Sequence, residues 1–210
     1  PTALDTAEFR ERWGTRIHEQ ALMSARTTQE AYLLHLQRVL AEVADGRVND
    51  ARARELLIGE LRSLGYDSEA GGFPGDRGIP AAPTGSLTDI ASRMRLNLII
   101  KTNQQTAQSL GQIARSEDPV IAEMYPAYEL RSGSHRRRHR QDWPARWRAA
   151  GEATGWDGAL RDRMWALKSS PIWQALGDGA GGYRDTLGHP YPPFAWGSSY
   201  VWRDRNRREC

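Results

Sequence analysis

Cysteine is almost missing: Cys210 is the only one. No disulfide can form within the chain, and no cage of thiolates can hold a metal. The sequence reads as made in a reducing cytoplasm. Lysine is nearly missing too, since all but Lys101 and Lys168 of the 29 basic residues are arginine. No apolar run approaches the roughly 20 residues that a bilayer span needs. The first residues, Pro1-Thr2-Ala3-Leu4-Asp5, show no charged segment before an apolar block, so no secretory signal is legible. There is no internal repeat and no heptad array.

What is present is a chain of 210 residues with 39% apolar side chains, enough for a hydrophobic core. The formal net charge is +3, carried by arginine. A GC-rich genome is the plain account of so much arginine. Selection for bidentate binding of phosphate or carboxylate is the other.

Helical spacing dominates. Leu4, Phe9, Trp13, Ile17 and Ala21 suggest a first helix. Tyr32, Leu33, Leu36, Val39, Leu40 and Val43 form one face of a second, ended by Asp45-Gly46. Asn49 caps a third, with Ala53, Leu57, Leu61 and Leu64 on its face and Gly65 as its stop. Residues 1–66 are therefore expected to form an N-terminal helical bundle. Gly71, Gly72, Pro74, Gly75, Gly78, Pro80 and Pro83 make 67–85 a linker or surface loop. Ser86-Leu87-Thr88-Asp89 has the form of a helix-capping box, and it predicts a long spine helix to about Arg115. Asp118-Pro119 opens a short helix to Met124, and 125–131 reads as extended. Asp142 and Pro144 open a helix with Trp143 and Trp147. Leu160, Met164 and Leu167 suggest another. Ser170-Pro171 starts a helix that Gly177 stops, and Tyr200-Val201-Trp202 suggests a closing strand. The expected fold is mainly α with a small β element (α+β): the bundle, then the spine helix and a small mixed C-terminal domain over 86–210.

The sharpest local feature is a run of arginines. Arg131, Arg136, Arg137, Arg138, Arg140, Arg146 and Arg148 are interleaved with His135, His139, Trp143 and Trp147. Arginine beside aromatic planes suits nucleic-acid backbone and base stacking. It also suits docking on an acidic protein face. The bland alternative is a solvated charged loop beside a helix. His135 and His139 have i, i+4 spacing, but three arginines lie between them and no glutamate accompanies them, so no metal site is assigned. Any third ligand would come from His189, Asp142 or Asp185, and nothing specifies which. The glycines from Gly177 to Gly182 lack the Lys-Ser/Thr of a phosphate loop. No catalytic residue and no cofactor are assigned. The tryptophans of the last third read first as an aromatic core, with an exposed anchor as the alternative.

The order of features resembles the head-morphogenesis (minor head protein) domain of tailed phages, the Mu-type family. The resemblance covers about residues 86–205. It rests on a long helix with Arg95, Ile99, Ile100, Thr102, Asn103, Ala107 and Gly111. The extended segment follows, then a turn with arginines and His139, then Pro192-Pro193-Phe194-Ala195-Trp196-Gly197. Two positions depart from the family. Ser198 and Tyr200 stand where it often has Cys-x-Cys, and Ser134 stands where its turn has aspartate. The resemblance implies a virion component in few copies, at the portal vertex or capsid interior, and in the host cytoplasm during assembly. It implies a portal or capsid protein as partner, DNA as a further one, and no membrane. Some relatives carry a further domain, and an end at Cys210 leaves room for one. The alternative is a nucleic-acid-binding protein using 131–148; a hydrolase or transferase is the third class.

Overall fold

The computed structural model describes residues 30–67, 83–133, 142–156 and 163–209. Among these are six helices and three strands, so the fold is mainly helical with a small antiparallel sheet, as the periodicity predicts. The first helix expected over residues 4–21 lies outside the described residues. Packing divides the chain into two units, and the boundary falls between Gln104 and Gln105. Composition instead suggests the 67–85 segment as the divide. The difference arises because the first half of the spine helix packs with the N-terminal helices.

In the first unit, α1 (Glu30–Ala44) and α2 (Asp50–Ser63) pack against the start of α3 (Arg93–Ser116). Tyr32, Leu36 and Val39 of α1 meet Ala53, Leu57 and Leu61 of α2 and Leu96, Ile99 and Ile100 of α3 in one buried cluster. Apolar residues at helical spacing bury one stripe per helix, which places the core between them. Asn49 caps α2 by accepting from the Arg52 N–H at 2.9 Å. Gly65, at φ 82°, ends it, and the Tyr66 N–H returns to the Leu61 carbonyl at 2.8 Å, a Schellman closure.

The spine helix begins later than the capping-box pattern predicts. Ser86-Leu87-Thr88-Asp89 forms a turn instead, built around the buried Asp89 carboxylate. That carboxylate accepts from the Gly85 N–H at 2.9 Å, the Ala91 N–H at 3.0 Å and the Tyr66 hydroxyl at 3.0 Å. The acid is spent on the turn, so Ser92 becomes the cap, accepting from the Arg95 N–H at 3.1 Å. The helix is 24 residues long, about 36 Å at 1.5 Å per residue.

In the second unit the end of α3 is followed by α4 (Pro119–Met124), β1 (Ala127–Ser132), α5 (Trp143–Thr154), β2 (Trp165–Leu167), α6 (Ile172–Asp178) and β3 (Tyr200–Arg205). Asp118 caps α4 through the Val120 N–H at 2.8 Å. The sheet order is β2-β1-β3, antiparallel throughout. β2 corrects the helical reading of Met164 and Leu167. Three residues carry too little pattern of their own, and their strand is set by partners: the Leu130 N–H donates to the Met164 carbonyl and the Lys168 N–H to the Pro126 carbonyl. α6 runs past Gly177 to Asp178, and Gly179 at φ 81° is the actual stop.

The core of this unit is aromatic. Tyr128 stacks on Trp202 with centroids 4.0 Å apart, and Trp143 stacks on Tyr200 at 4.9 Å. Trp173 lies among Trp147, Trp202 and Phe194 at 5.4 to 6.1 Å. Rings of this size supply large buried area from few residues. The segment between α6 and β3 closes over them. Its Leu187 N–H donates to the Phe194 carbonyl at 3.0 Å, and its Trp196 N–H to the Asp185 carbonyl at 2.9 Å. The Pro192–Pro193 bond within this clasp is cis.

Candidate docking surface

The arginine and tryptophan run divides into three fates. Arg136, Arg137, Arg138, Arg140, His135 and His139 lie outside the described residues. Trp143 and Trp147, read first as core and otherwise as partner anchors, are buried, and so is Arg146, a candidate partner contact. The cause is simple. On α5 the spacing 143, 146, 147, 150 forms one face, and this face packs inward. Arg131 and Arg148 are exposed.

Arg146 is buried because its charge is answered. Its Nε donates to Asp142 Oδ2 at 2.8 Å and its Nη2 to Asp185 Oδ1 at 2.7 Å. Its guanidinium also lies 4.0 Å from the Tyr183 ring centroid and 5.4 Å from that of Trp143. Asp142 therefore holds a side chain one turn on, and its carboxylate caps no helix N–H. His189 is also buried, stacked on Tyr191 at 4.0 Å, with neither ring nitrogen in a hydrogen bond. Burial pushes its imidazole pKa down; backbone groups of Tyr191 and His189 oppose this without reaching hydrogen-bond geometry. The residues weighed as metal ligands are thus dispersed in role. Two bind Arg146 and one stacks in the core. Among the described residues, no group of three or more His, Cys, Asp or Glu side chains is arranged to hold a metal ion.

A second polar cluster surrounds Lys168. Its Nζ lies 2.9 Å from Ser116 Oγ, 2.9 Å from Asp204 Oδ1 and 4.6 Å from the Tyr128 ring centroid. Ser116 Oγ also meets the Tyr128 hydroxyl at 2.8 Å, and Arg115 pairs with Asp204. Lys168 thus joins Ser116 of the spine helix to Asp204 of β3. Burial raises the Tyr128 phenol pKa; Asp204 adds to this, while Ser116 and Arg115 oppose it.

The face of the sheet turned from the aromatic core is different. Antiparallel partners share a face, so the register puts Trp165, Glu129 and Arg203 in one row. Leu167, Ala127 and Arg205 form the next, and Arg131 with Val201 the third. Arg205 closes on two carboxylates, Glu129 Oε2 at 2.6 Å and Glu209 Oε1 at 2.8 Å. Its pKa is raised first by the Glu129 hydrogen bond. Arg131 and Arg203 remain extended into solvent, with side chains 54% and 51% exposed. Leu167 is 49% exposed. Trp165 is half-buried and takes part in none of the ring stacks of the core.

No family model, no curated protein and no solved structure matches this chain. The residues carrying the phage resemblance are placed as follows. Thr102 and Asn103 are buried on α3, where Asn103 Nδ2 donates to the Ile99 carbonyl at 2.8 Å. Gly111 lies on the same helix, with open space for 4 Å around the point where a methyl group would stand. Pro192 and Pro193 are buried in the clasp, Trp196 and Gly197 half-buried at its end. His139 lies outside the described residues. Sequence reasoning missed Arg203 and Arg205. Both were legible had the closing strand been carried on to Arg205, since alternation then sets them opposite Trp202.

Proposed function

We propose that this chain is a minor head protein of a tailed phage, a virion component that works by protein–protein contact at the portal or capsid interior. The observation carrying the reading is the order of motifs: the Thr102-Asn103 helix, the extended segment, the arginine turn and the late Pro-Pro-x-x-Trp-Gly. The mainly helical architecture with a small sheet is compatible with it. The nucleic-acid alternative is weaker, because its two stacking platforms, Trp143 and Trp147, are buried and Arg146 is closed on carboxylates.

The test is mass spectrometry of purified particles from the phage or prophage that encodes the chain, with electron microscopy after deletion of its gene. The reading expects a few copies per particle and defective heads in the deletion. Particles lacking the chain, with normal heads in its absence, would contradict it.

A further inference from the structure

We infer that the sheet face turned from the aromatic core docks an acidic, extended segment of a partner protein, gripped by Arg131 and Arg203. The head-protein reading supplies only the setting for that partner; the surface follows from the register and the ion pairs.

The arginines outnumber the acids available to them. Glu129 Oε2 and Glu209 Oε1 are both engaged by Arg205, and Glu209 Oε2 also accepts the Asn206 N–H at 3.1 Å. What is left for Arg131 is Glu129 at 3.7 Å, and for Arg203 it is Glu209 at 3.8 Å. Both distances exceed a hydrogen bond. Two guanidinium forks therefore face solvent with their donors unfilled, and a carboxylate can fill each of them bidentately. Arg131 stands opposite Val201 and Arg203 opposite Glu129, so the two arginines are diagonal neighbours across β1 and β3. Diagonal neighbours are about 7–8 Å apart. Two carboxylates at i and i+2 of an extended chain are about 6.7 Å apart and lie on one side. The spacing fits an acidic strand-like segment.

One further feature favours protein over nucleic acid. Val201, opposite Arg131, and the half-buried Trp165, diagonal to it, lie on the same face and give apolar contact that alternate side chains of a peptide would cover. Trp and Arg together are the usual anchors of protein interfaces.

The test is fluorescence anisotropy with the whole chain and three labelled probes: a decapeptide alternating glutamate with threonine, one alternating lysine with threonine, and a 20-nucleotide single-stranded DNA. The variants are R131A/R203A, R131E/R203E and, as a control of equal charge change in the other unit, R47E/R52E; Arg47 and Arg52 are likewise exposed. The inference expects the glutamate peptide to bind the parent chain and the control alike. Binding should fall about tenfold or more in both sheet variants, and R131E/R203E should gain affinity for the lysine peptide. No glutamate-peptide binding, equal loss in the control, or tighter DNA binding lost through the same two arginines would overturn it. The two proposals fail separately. Particles without the chain sink the head-protein reading and leave the peptide result standing. A flat peptide result sinks the docking face and leaves the particle result standing.

Discussion

Arg146 Nη2 reaches Asp185 Oδ1 at 2.7 Å across 39 residues of sequence. With Asp142 on its other side, this one side chain ties the first turn of α5 to the clasp that carries Pro192 and Pro193. A buried cation is tolerated here because both acids meet it in hydrogen-bond geometry. Breaking such a set leaves charges without their answer.

Arg146→Ala is therefore expected to cost about 3 kcal/mol of stability. Arg146→Lys should recover little, since one ammonium cannot bridge both acids with the planar fork that also stacks on Tyr183. Tryptophan fluorescence during urea unfolding reads this unit, because Trp143, Trp147, Trp173 and Trp202 all lie in it. An unchanged unfolding midpoint in both variants would show that the clamp contributes nothing.

Two glycines on helices should behave oppositely. A methyl group at Gly177 would sit 2.1 Å from the His189 carbonyl oxygen, backbone against backbone. Gly177→Ala must push α6 off the clasp and should lower the melting temperature sharply. At Gly111 the space is open, so Gly111→Ala should stabilise by about 0.5–1 kcal/mol, as glycine in a helix interior costs that much. Calorimetry on both variants checks the pair; a harmless Gly177→Ala would mean the close approach is wrong.

Stability should change with pH at both ends of the range. The His189 imidazole is lowered from its ordinary 6.5 by burial, so the folded chain resists its proton. The fold is at full strength above pH 6.5 and weakens as pH falls below it. The Tyr66 phenol is pushed up to about 12, first by burial and then by its bond to Asp89. The folded chain holds that proton more tightly than the unfolded one, so stability is full below pH 10 and falls as pH rises from 10 towards 12. Denaturation midpoints across pH, read by helical dichroism and tryptophan fluorescence, are expected to show both losses. His189→Phe should make the acid limb shallower and Tyr66→Phe the alkaline one, part of which remains because burial also raises the phenols of Tyr32, Tyr128 and Tyr200. Limbs of the same slope in the variants would assign the losses elsewhere.

The helices were legible where the apolar spacing was long or a cap stood at the start. Asn49, Asp118 and the 32-36-39 stripe are such signals, and each element formed within a residue or two of its expected place. Ser86 to Asp89 misled because a capping box and a self-bonded turn share the same residues, and the choice was made by Tyr66, far off in sequence. β2 was illegible because its strand character is lent by β1. The arginine run misled for a related reason. Composition shows where basic residues cluster, but not that Asp185 arrives from 39 residues away to bury one of them. The arginines left exposed on the sheet are set by strand register, which no single segment displays.

Which tryptophans and arginines lie inside decides where a partner can dock. Oxidation of the native chain by N-bromosuccinimide, mapped by peptide mass spectrometry, reads this directly. Trp143, Trp147 and Trp173, all nearly without exposure, should stay unmodified until the chain unfolds, while the half-buried Trp156, Trp165 and Trp196 react before them. Early oxidation of Trp143 and Trp147, with Trp165 protected, would return the arginine helix to the surface and contradict the placement of the docking face.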